Sequence, residues 1–467
     1  MFSTAHRRPL LQVAAASHIW SSDGLASVVR RVGVRVVACL VASLGLMAGG
    51  AFAAAGDSLR KIVVFQAGTA SQMQQQVVQQ GGSQVLNVLS LVNGLAIALP
   101  PQGTAQALAV LQANPTVVGV YDDTAVSGQD GGGDNVIVIS PAGLPTQELY
   151  PWGLETIHVP EVHHENPGLK GAGVGVAILD TGIDLTHADL SKNVKGVYNA
   201  LAGQDPKKYQ DDNGHGTHMA GIIAARVNGL GVIGAAYQAK LYAVKVLDQY
   251  GGGRLSDLIN GLGWVRANQI RVVNMSLGFS EGSPLLEQAI ERLYEAGVIM
   301  VASAGNRSTN CAQDGGGDDG GGDGSAQDGG GDDGGGDTGC DTSPGGVSYP
   351  ARYHGVIAVA ATDSQNRVTD YSRSGPEVAV AAPGGSTHDQ RILSTNKGGG
   401  YGWGSGTSQA AAHVTGALAL ALQIKSHMSF EEAVTLLQGA AKDLGEPVEQ
   451  QGAGLIDVEA MIEALKY

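Results

Sequence analysis

The sequence predicts an α/β protein: a three-layer body on a largely parallel sheet, preceded by a small α+β domain. Three observations carry that prediction. From Pro151 to about Met461, short apolar runs alternate with helical segments, as when parallel strands are joined by crossover helices. Residues 57 to about 123 carry a separate strand and helix pattern of their own. Only 5% of the 467 residues are aromatic whereas 71 are Gly, which implies many turns and close backbone approaches.

The first 53 residues hold five Arg and one Asp, a net of +4. Arg30, Arg31 and Arg35 precede the apolar run Val36 to Met47, and Ala51-Phe52-Ala53 then offers a small-residue cleavage site. That order is expected of a secretory signal peptide cut near Ala53. The alternatives are an uncleaved anchor or a true start downstream of Met1; the apolar run is short for a bilayer span. The expected location is outside the cell (medium, periplasm or surface), with no stable membrane insertion after maturation. Cys39 would leave with the signal. Cys311 and Cys340 would remain, an even pair that suits an oxidising compartment.

Residues 54–123 are expected to form the small domain. Ile62 to Phe65 reads as a strand, Gln72 to Gln80 as a polar helix, and Val85 to Val92 and Leu95 to Leu99 as strands. Ala105 to Gln112 reads as a second helix and Val117 to Tyr121 as a final strand. The order βαββαβ implies a split-βαβ, ferredoxin-like shape. Between 124 and 147 the periodicity fades into Ser127-Gly128-Gln129-Asp130 and a run of Gly. An exposed Gly-rich linker is readily nicked, so maturation is expected there.

Residues 148–467 form the expected body. Its buried-strand candidates are Val174–Leu179, Lys240–Val246, Val272–Met275, Val298–Ala302, Val356–Ala360 and Val378–Ala381. The helix candidates include Gly216–Ala225, Leu255–Gln269, Leu285–Glu295, Ser408–Ile424 and Phe430–Ala441. One insert, 308–346, breaks the alternation. Residues 312–323 recur identically at 326–337, and the stretch has nine Asp and no Lys or Arg. It holds more than half of the formal net charge of −15 and has almost nothing to bury. Cys311 and Cys340 flank both repeats; a bridge would close the insert into a loop, worth roughly 3–4 kcal/mol of unfolded-chain entropy. The two thiols could also stay reduced; export favours the bridge. The acidic balance argues against nucleic acid as a partner. For the insert itself, an acidic rim favouring basic substrates and a weak Ca²⁺ or surface tether compete with neutral repeat expansion, which its identical repeats favour.

Three short motifs carry chemistry. Asp180-Thr181-Gly182 ends an apolar strand candidate, His215-Gly216-Thr217-His218 opens a helix candidate, and Gly406-Thr407-Ser408-Gln409 opens another. A serine hydroxyl becomes a useful nucleophile when a base removes its proton, and that base needs an anion to fix its tautomer. Each triplet alone means little in a Gly-rich chain. Together, in the order Asp, His, Ser, they resemble the catalytic centre of subtilisin-type serine proteases.

The resemblance runs from about Ile62 to Ile462, the insert excepted, and is close over 171–308 and 347–420. It implies Ser408 as attacker, His215 as base and then acid, and Asp180 as the group that orients His215. It implies Asn306 as an oxyanion donor beside the backbone N–H of Ser408. Ser276, Leu277 and Gly278 would form one substrate rail, and Gly251, Gly252 and Gly253 the other. Ser348 matches a pocket-base position where Gly is more usual, so a shallower or more polar pocket is expected. Asp189, Asn228 and Glu148 match a structural Ca²⁺ site of oxygen ligands. His218 is expected only to pack. Gln409 and Ala412 depart from the usual Met and Pro, and Ala412 restores a helical N–H.

The functional expectation is a secreted, monomeric serine endopeptidase acting on proteins or peptides. Residues 54–123 would be its inhibitory, folding-assisting propeptide, removed by self-cleavage. A dedicated processing protease of limited specificity, or a catalytically silent scaffold, is the alternative.

Overall fold

The period-2 alternation of the first apolar run decides how the small domain is buried. In this computed structural model, which describes residues 59–128, 137–139, 148–205, 207–307, 346–386 and 390–466, that run is strand β1 (Arg60–Phe65). It is followed by α1 (Ser71–Gln80), β2 (Gln84–Leu89), β3 (Gly94–Ala98), α2 (Thr104–Ala113) and β4 (Val117–Asp122). The four strands form an antiparallel sheet in the order β2-β3-β1-β4. Val63 and Phe65 join Leu95 and Ile97 in a core with Val77, Val78 and Leu111 of the two helices. Ile62, Val64 and Ala96 point the other way, into a core shared with the body. The sheet is therefore buried on both faces, the second against the rest of the protein.

The expected strand Val85 to Val92 ends early, at Leu89, and turns through a short 3₁₀ segment, Ser90–Val92. Asn93 closes that turn in the left-handed region (φ 50°), a conformation Asn tolerates better than most residues. Its Nδ2 donates to Phe65 O and Gln66 O, each at 2.8 Å, which fixes the turn to β1.

The body begins with two short strands, β5 (Ala125–Gly128) and β6 (Ile137–Ile139), and two short helices, α3 (Trp152–Thr156) and α4 (Val159–Glu165). Next come β7 (Gly175–Asp180), β8 (Val194–Asn199), α5 (His215–Ala224), β9 (Lys240–Lys245), β10 (Gly252–Arg254) and α6 (Leu255–Ala267). They are followed by β11 (Val272–Met275), β12 (Leu277–Gly278), α7 (Pro284–Glu295), β13 (Ile299–Ser303), β14 (Val356–Thr362) and β15 (Val378–Pro383). The chain closes with β16 (Ile392–Asn396), β17 (Gly400–Gly404), α8 (Thr407–Ile424), α9 (Phe430–Ala440), α10 (Val448–Gln451) and α11 (Val458–Ala464).

Seven strands make one sheet in the order β15-β14-β13-β11-β7-β9-β8, every pair parallel. Both faces are covered, which is why these strands read as nearly continuous apolar runs. Val176, Ile178, Val272 and Val301 face α5 and α8, whereas Ala177, Leu179, Val273 and Met300 face α6 and α7. That is the expected three-layer body. Helix α8 is buried from Thr407 through Leu422, and its Ala-rich surface lets it lie directly on the sheet.

Two smaller sheets, β10-β5-β12 and β16-β17-β6, were not legible as elements. The first is a difference from the reading of 124–147 as a linker without structure: four of its residues form a strand between two parts of the body. The expected signal peptide, the Cys311–Cys340 bridge, nearly all of the insert, and the rest of 124–147 up to residue 147 except β6 lie outside the described residues. Among those described, no helix is long and apolar enough to cross a membrane.

Candidate active site

Asp180 is the last residue of β7, at the carboxyl edge of the parallel sheet, and His215 is the first of α5. His215 Nδ1 lies 2.8 Å from Asp180 Oδ1 and 2.9 Å from Oδ2. Both side chains are buried. The approach is close because the next residue is Gly216: a Cβ there would strike Gly182 O and stand 3.1 Å from Asp180 Cβ and Oδ1.

A second carboxylate braces the pair. Asp211 Oδ1 accepts from Gly214 N at 2.8 Å and from Thr181 Oγ1 at 2.9 Å, and its Oδ2 accepts from Thr217 N at 3.0 Å. Thr181 Oγ1 accepts from Gly216 N at 3.0 Å. Asp211 thus caps α5 and ties that cap to the turn after Asp180. Neither Asp211 nor Thr181 stood out as a site residue. An Asp shortly before a helix start was a signal that could have found the first.

Ser408 is the second residue of α8, and its carbonyl accepts from Ser276 Oγ at 3.1 Å. Asn306 follows the end of β13. Its Oδ1 accepts from Thr407 N at 3.1 Å and from Thr407 Oγ1 at 2.9 Å, which turns Nδ2 to the opposite side of the amide. Thr407 was missed from sequence. The structure thus gathers Asp180 with His215, and Asn306 with the Thr407–Ser408 helix start.

The expected rails also meet, with the chain's own β5 between them. Gly253 pairs with Val126 and Gly252 with Ser127 on one side; Gly278 pairs with Ser127 and Leu277 with Gly128 on the other. Gly128 N donates to Gly251 O at 2.9 Å. Beside this strand lies a cavity of about 340 Å³ whose lining includes Gly278, Asn306, Ser348 and Arg373.

The three expected metal ligands converge on one loop. Glu148 Oε1 accepts from Asn228 N and, at 2.7 Å, from Gly229 N. Asn228 Nδ2 donates to Asp189 Oδ1 at 2.8 Å, and Tyr401 OH donates to Asp189 Oδ2 at 2.8 Å. Burial and the Asp189 carboxylate push the Tyr401 hydroxyl well above its ordinary range. Elsewhere, His218 is buried with Nε2 3.1 Å from Gly402 O. His413 is fully buried, which holds its pKa down to about 4 and keeps it neutral.

Residues 171–454 match the model of the subtilase family. Subtilisin E of Bacillus subtilis (strain 168) is 38% identical over 310 residues, 66% of this chain and 70% of that protein. A subtilisin of Bacillus pumilus is 38% identical over the same share of this chain and 98% of its own length. Subtilisin Savinase of Lederbergia lenta is also 38% identical, over 97% of its length. The chain belongs to the subtilase family. It is a serine endopeptidase.

Proposed function

We propose that this enzyme cuts peptide bonds through Ser408, His215 and Asp180 by way of an acyl-enzyme, and that it is exported and matures by cutting its own chain. The observation that carries the catalytic reading is the contact of His215 Nδ1 with both oxygens of buried Asp180. A carboxylate only accepts, so it holds the proton on Nδ1 and leaves Nε2 as the base.

His215 Nε2 then takes the Ser408 Oγ proton as that oxygen attacks the substrate carbonyl carbon. The oxyanion that forms is met by the Asn306 amide and the Ser408 backbone N–H. One such donor is worth about 10²–10³ in turnover, so the Thr407 contacts that fix the Asn306 plane bear directly on rate. His215 returns the proton to the leaving amine. Water repeats the sequence on the ester and frees Ser408.

Self-cleavage is supported by β5. An extended peptide recognised by main-chain pairing on two rails is the expected form of a substrate, and here the chain's own residues 125–128 fill that place. Residues 54–123 are then the propeptide, docked by its sheet. Export rests on the composition of residues 1–53.

Asp189, Glu148 and Asn228 suit a calcium ion: two carboxylates and an amide, gathered at one loop, offer hard oxygen donors. Bound there, the ion would supply cross-linking charge between residues far apart in sequence, and no chemical step involves it.

The test is expression of residues 54–467 as wild type and as Ser408→Ala, with size and N-terminus followed over time. Shortening past residue 124 in wild type alone is the expected outcome. If neither protein shortens while wild type hydrolyses casein, the propeptide reading is lost. An inert wild type would instead favour a silent scaffold.

A further inference from the structure

The pocket beside β5 carries a cation. An antiparallel bridge pairs Asn306 with Ser372, so the next residue, Arg373, is delivered alongside the expected oxyanion donor. Arg373 Nε lies 3.4 Å from Asn306 O, its Nη1 lies 3.3 Å from Gly346 O, and its backbone N donates to Gly305 O at 2.9 Å. Ser348 reaches the same stretch of backbone. A Cβ built on Gly305 would strike Ser348 Oγ and lie 2.8 Å from Arg373 Cδ, so both side chains crowd the backbone just before Asn306. Gly305 also has φ +105°, which favours Gly there. Ser348 and Arg373 both line the 340 Å³ cavity that opens between Asn306 and Gly278. A second cation stands nearby: Arg307, held by Ser374 Oγ at 2.7 Å, adds to the positive field on Arg373.

The cavity lies against Ala125, Val126 and Ser127 of β5 and reaches Asn306, and the register of β5 shows how an extended peptide runs on from there toward Ser408. Ser127 pairs with Gly278 and Gly128 with Leu277, so one more residue of an extended peptide would face Ser276. Ser276 Oγ contacts Ser408 O, so the bond after that residue is the one within reach of Ser408.

We infer that this cavity selects a side chain ending in a carboxylate or carboxamide, Glu or Gln, immediately before the cleaved bond, with Arg373 as the specificity residue and Ser348 as the polar floor. A guanidinium donates to such a group through a directed, charge-assisted hydrogen bond. A large aromatic side chain brings no acceptor to the guanidinium and so gains no such bond. In this chain the residue after Gly128 is Gln129, so the same reasoning assigns the self-cleaved bond to Gln129–Asp130. The inference rests on the endopeptidase reading above, and names the substrate class of that site.

The experiment uses enzyme purified after self-processing and peptides that differ only before the cleaved bond, carrying Glu, Gln, Phe or Lys. The expected order of kcat/KM is Glu and Gln above Phe and Lys, by about tenfold or more. In Arg373→Met the Glu-to-Phe ratio should fall by about tenfold, and Arg373→Lys should restore part of it. High salt should also narrow the ratio for Glu more than for Gln. The N-terminus of processed wild type should be Asp130. Preference for Phe, preference for Lys, or a ratio unmoved in a folded Arg373→Met would each overturn the assignment. A new N-terminus elsewhere would overturn the Gln129 register. If no peptide is cut by wild type, the endopeptidase reading itself fails, and the two failures are thereby distinct.

Discussion

Substituting Asp123 should loosen the small domain from the body more than its single charge implies. The Asp123 side chain is fully buried where β4 leaves the sheet. Its Oδ1 accepts from Ser256 N at 2.8 Å, and its Oδ2 accepts from Ser256 Oγ at 2.8 Å and Arg60 Nε at 2.9 Å. Ser256 is the second residue of α6, so its N–H is among those with no partner inside the helix. Asp123 therefore caps a body helix from the other domain. In Asp123→Ala a buried N–H loses its acceptor, at about 1–3 kcal/mol. Arg60 is one-fifth exposed and rehydrates, so it adds less. We expect about 2–3 kcal/mol in total, or roughly 30- to 160-fold weaker docking. The assay is inhibition of the processed enzyme by a separate 54–129 chain, wild type or Asp123→Ala. Lys61→Ala is the control, because its partner Asp122 is three-quarters exposed and the loss should be under about threefold. If Asp123→Ala weakened inhibition no more than Lys61→Ala, the capping argument would be wrong.

Three other outcomes are expected. Burial pushes the Asp257 carboxyl up to about 7, against the opposing pull of Arg60 at 3.6 Å and the donor Ala202 N. The folded protein then holds a proton that the unfolded chain releases, so its stability falls as pH rises from about 4 to about 7 and levels off above. In a Ser408→Ala background, Asp257→Asn should shrink the difference in Tm between pH 5 and pH 7.5; an unchanged difference would count against it. Gly216→Ala should cost at least about 10²-fold in kcat, since its methyl group displaces Asp180 from His215, and wild-type turnover would refute that geometry. Chelator should lower the Tm of the processed enzyme, and added Ca²⁺ should restore it in wild type but not in Asp189→Ala. A Tm indifferent to both would remove calcium from the reading.

Much of the frame is written locally. The run Val174–Leu179 is apolar throughout because β7 is buried on both faces, and the Ala-rich segment after Ser408 marks a helix that must lie close to the sheet. Asp180, His215 and Ser408 could be proposed from sequence because each sits at an element end, where a change of periodicity is visible. What local pattern could not report was which ends meet. The tie of Asp211 to Thr181 spans 30 residues, that of Asn306 to Thr407 spans 101, and that of Ser276 to Ser408 spans 132.

The segment 125–128 makes the same point from the other side. Its four residues, Ala-Val-Ser-Gly, have weak intrinsic preference and read as linker, yet they form a strand because Gly252–Arg254 and Leu277–Gly278 offer unpaired edges on both sides. Arg373 was invisible as a specificity residue for a related reason: a lone Arg in a polar turn has no periodicity to mark it, and only the bridge between Asn306 and Ser372 carries it to the pocket. The sequence by itself determined the α/β layers and the family, and singled out Asp180, His215 and Ser408 as candidates, because those follow from burial period and short motifs. The tertiary structure alone decided the braces, the register of the chain in its own cleft and the charge lining the pocket, because each depends on backbone edges that folding brings together.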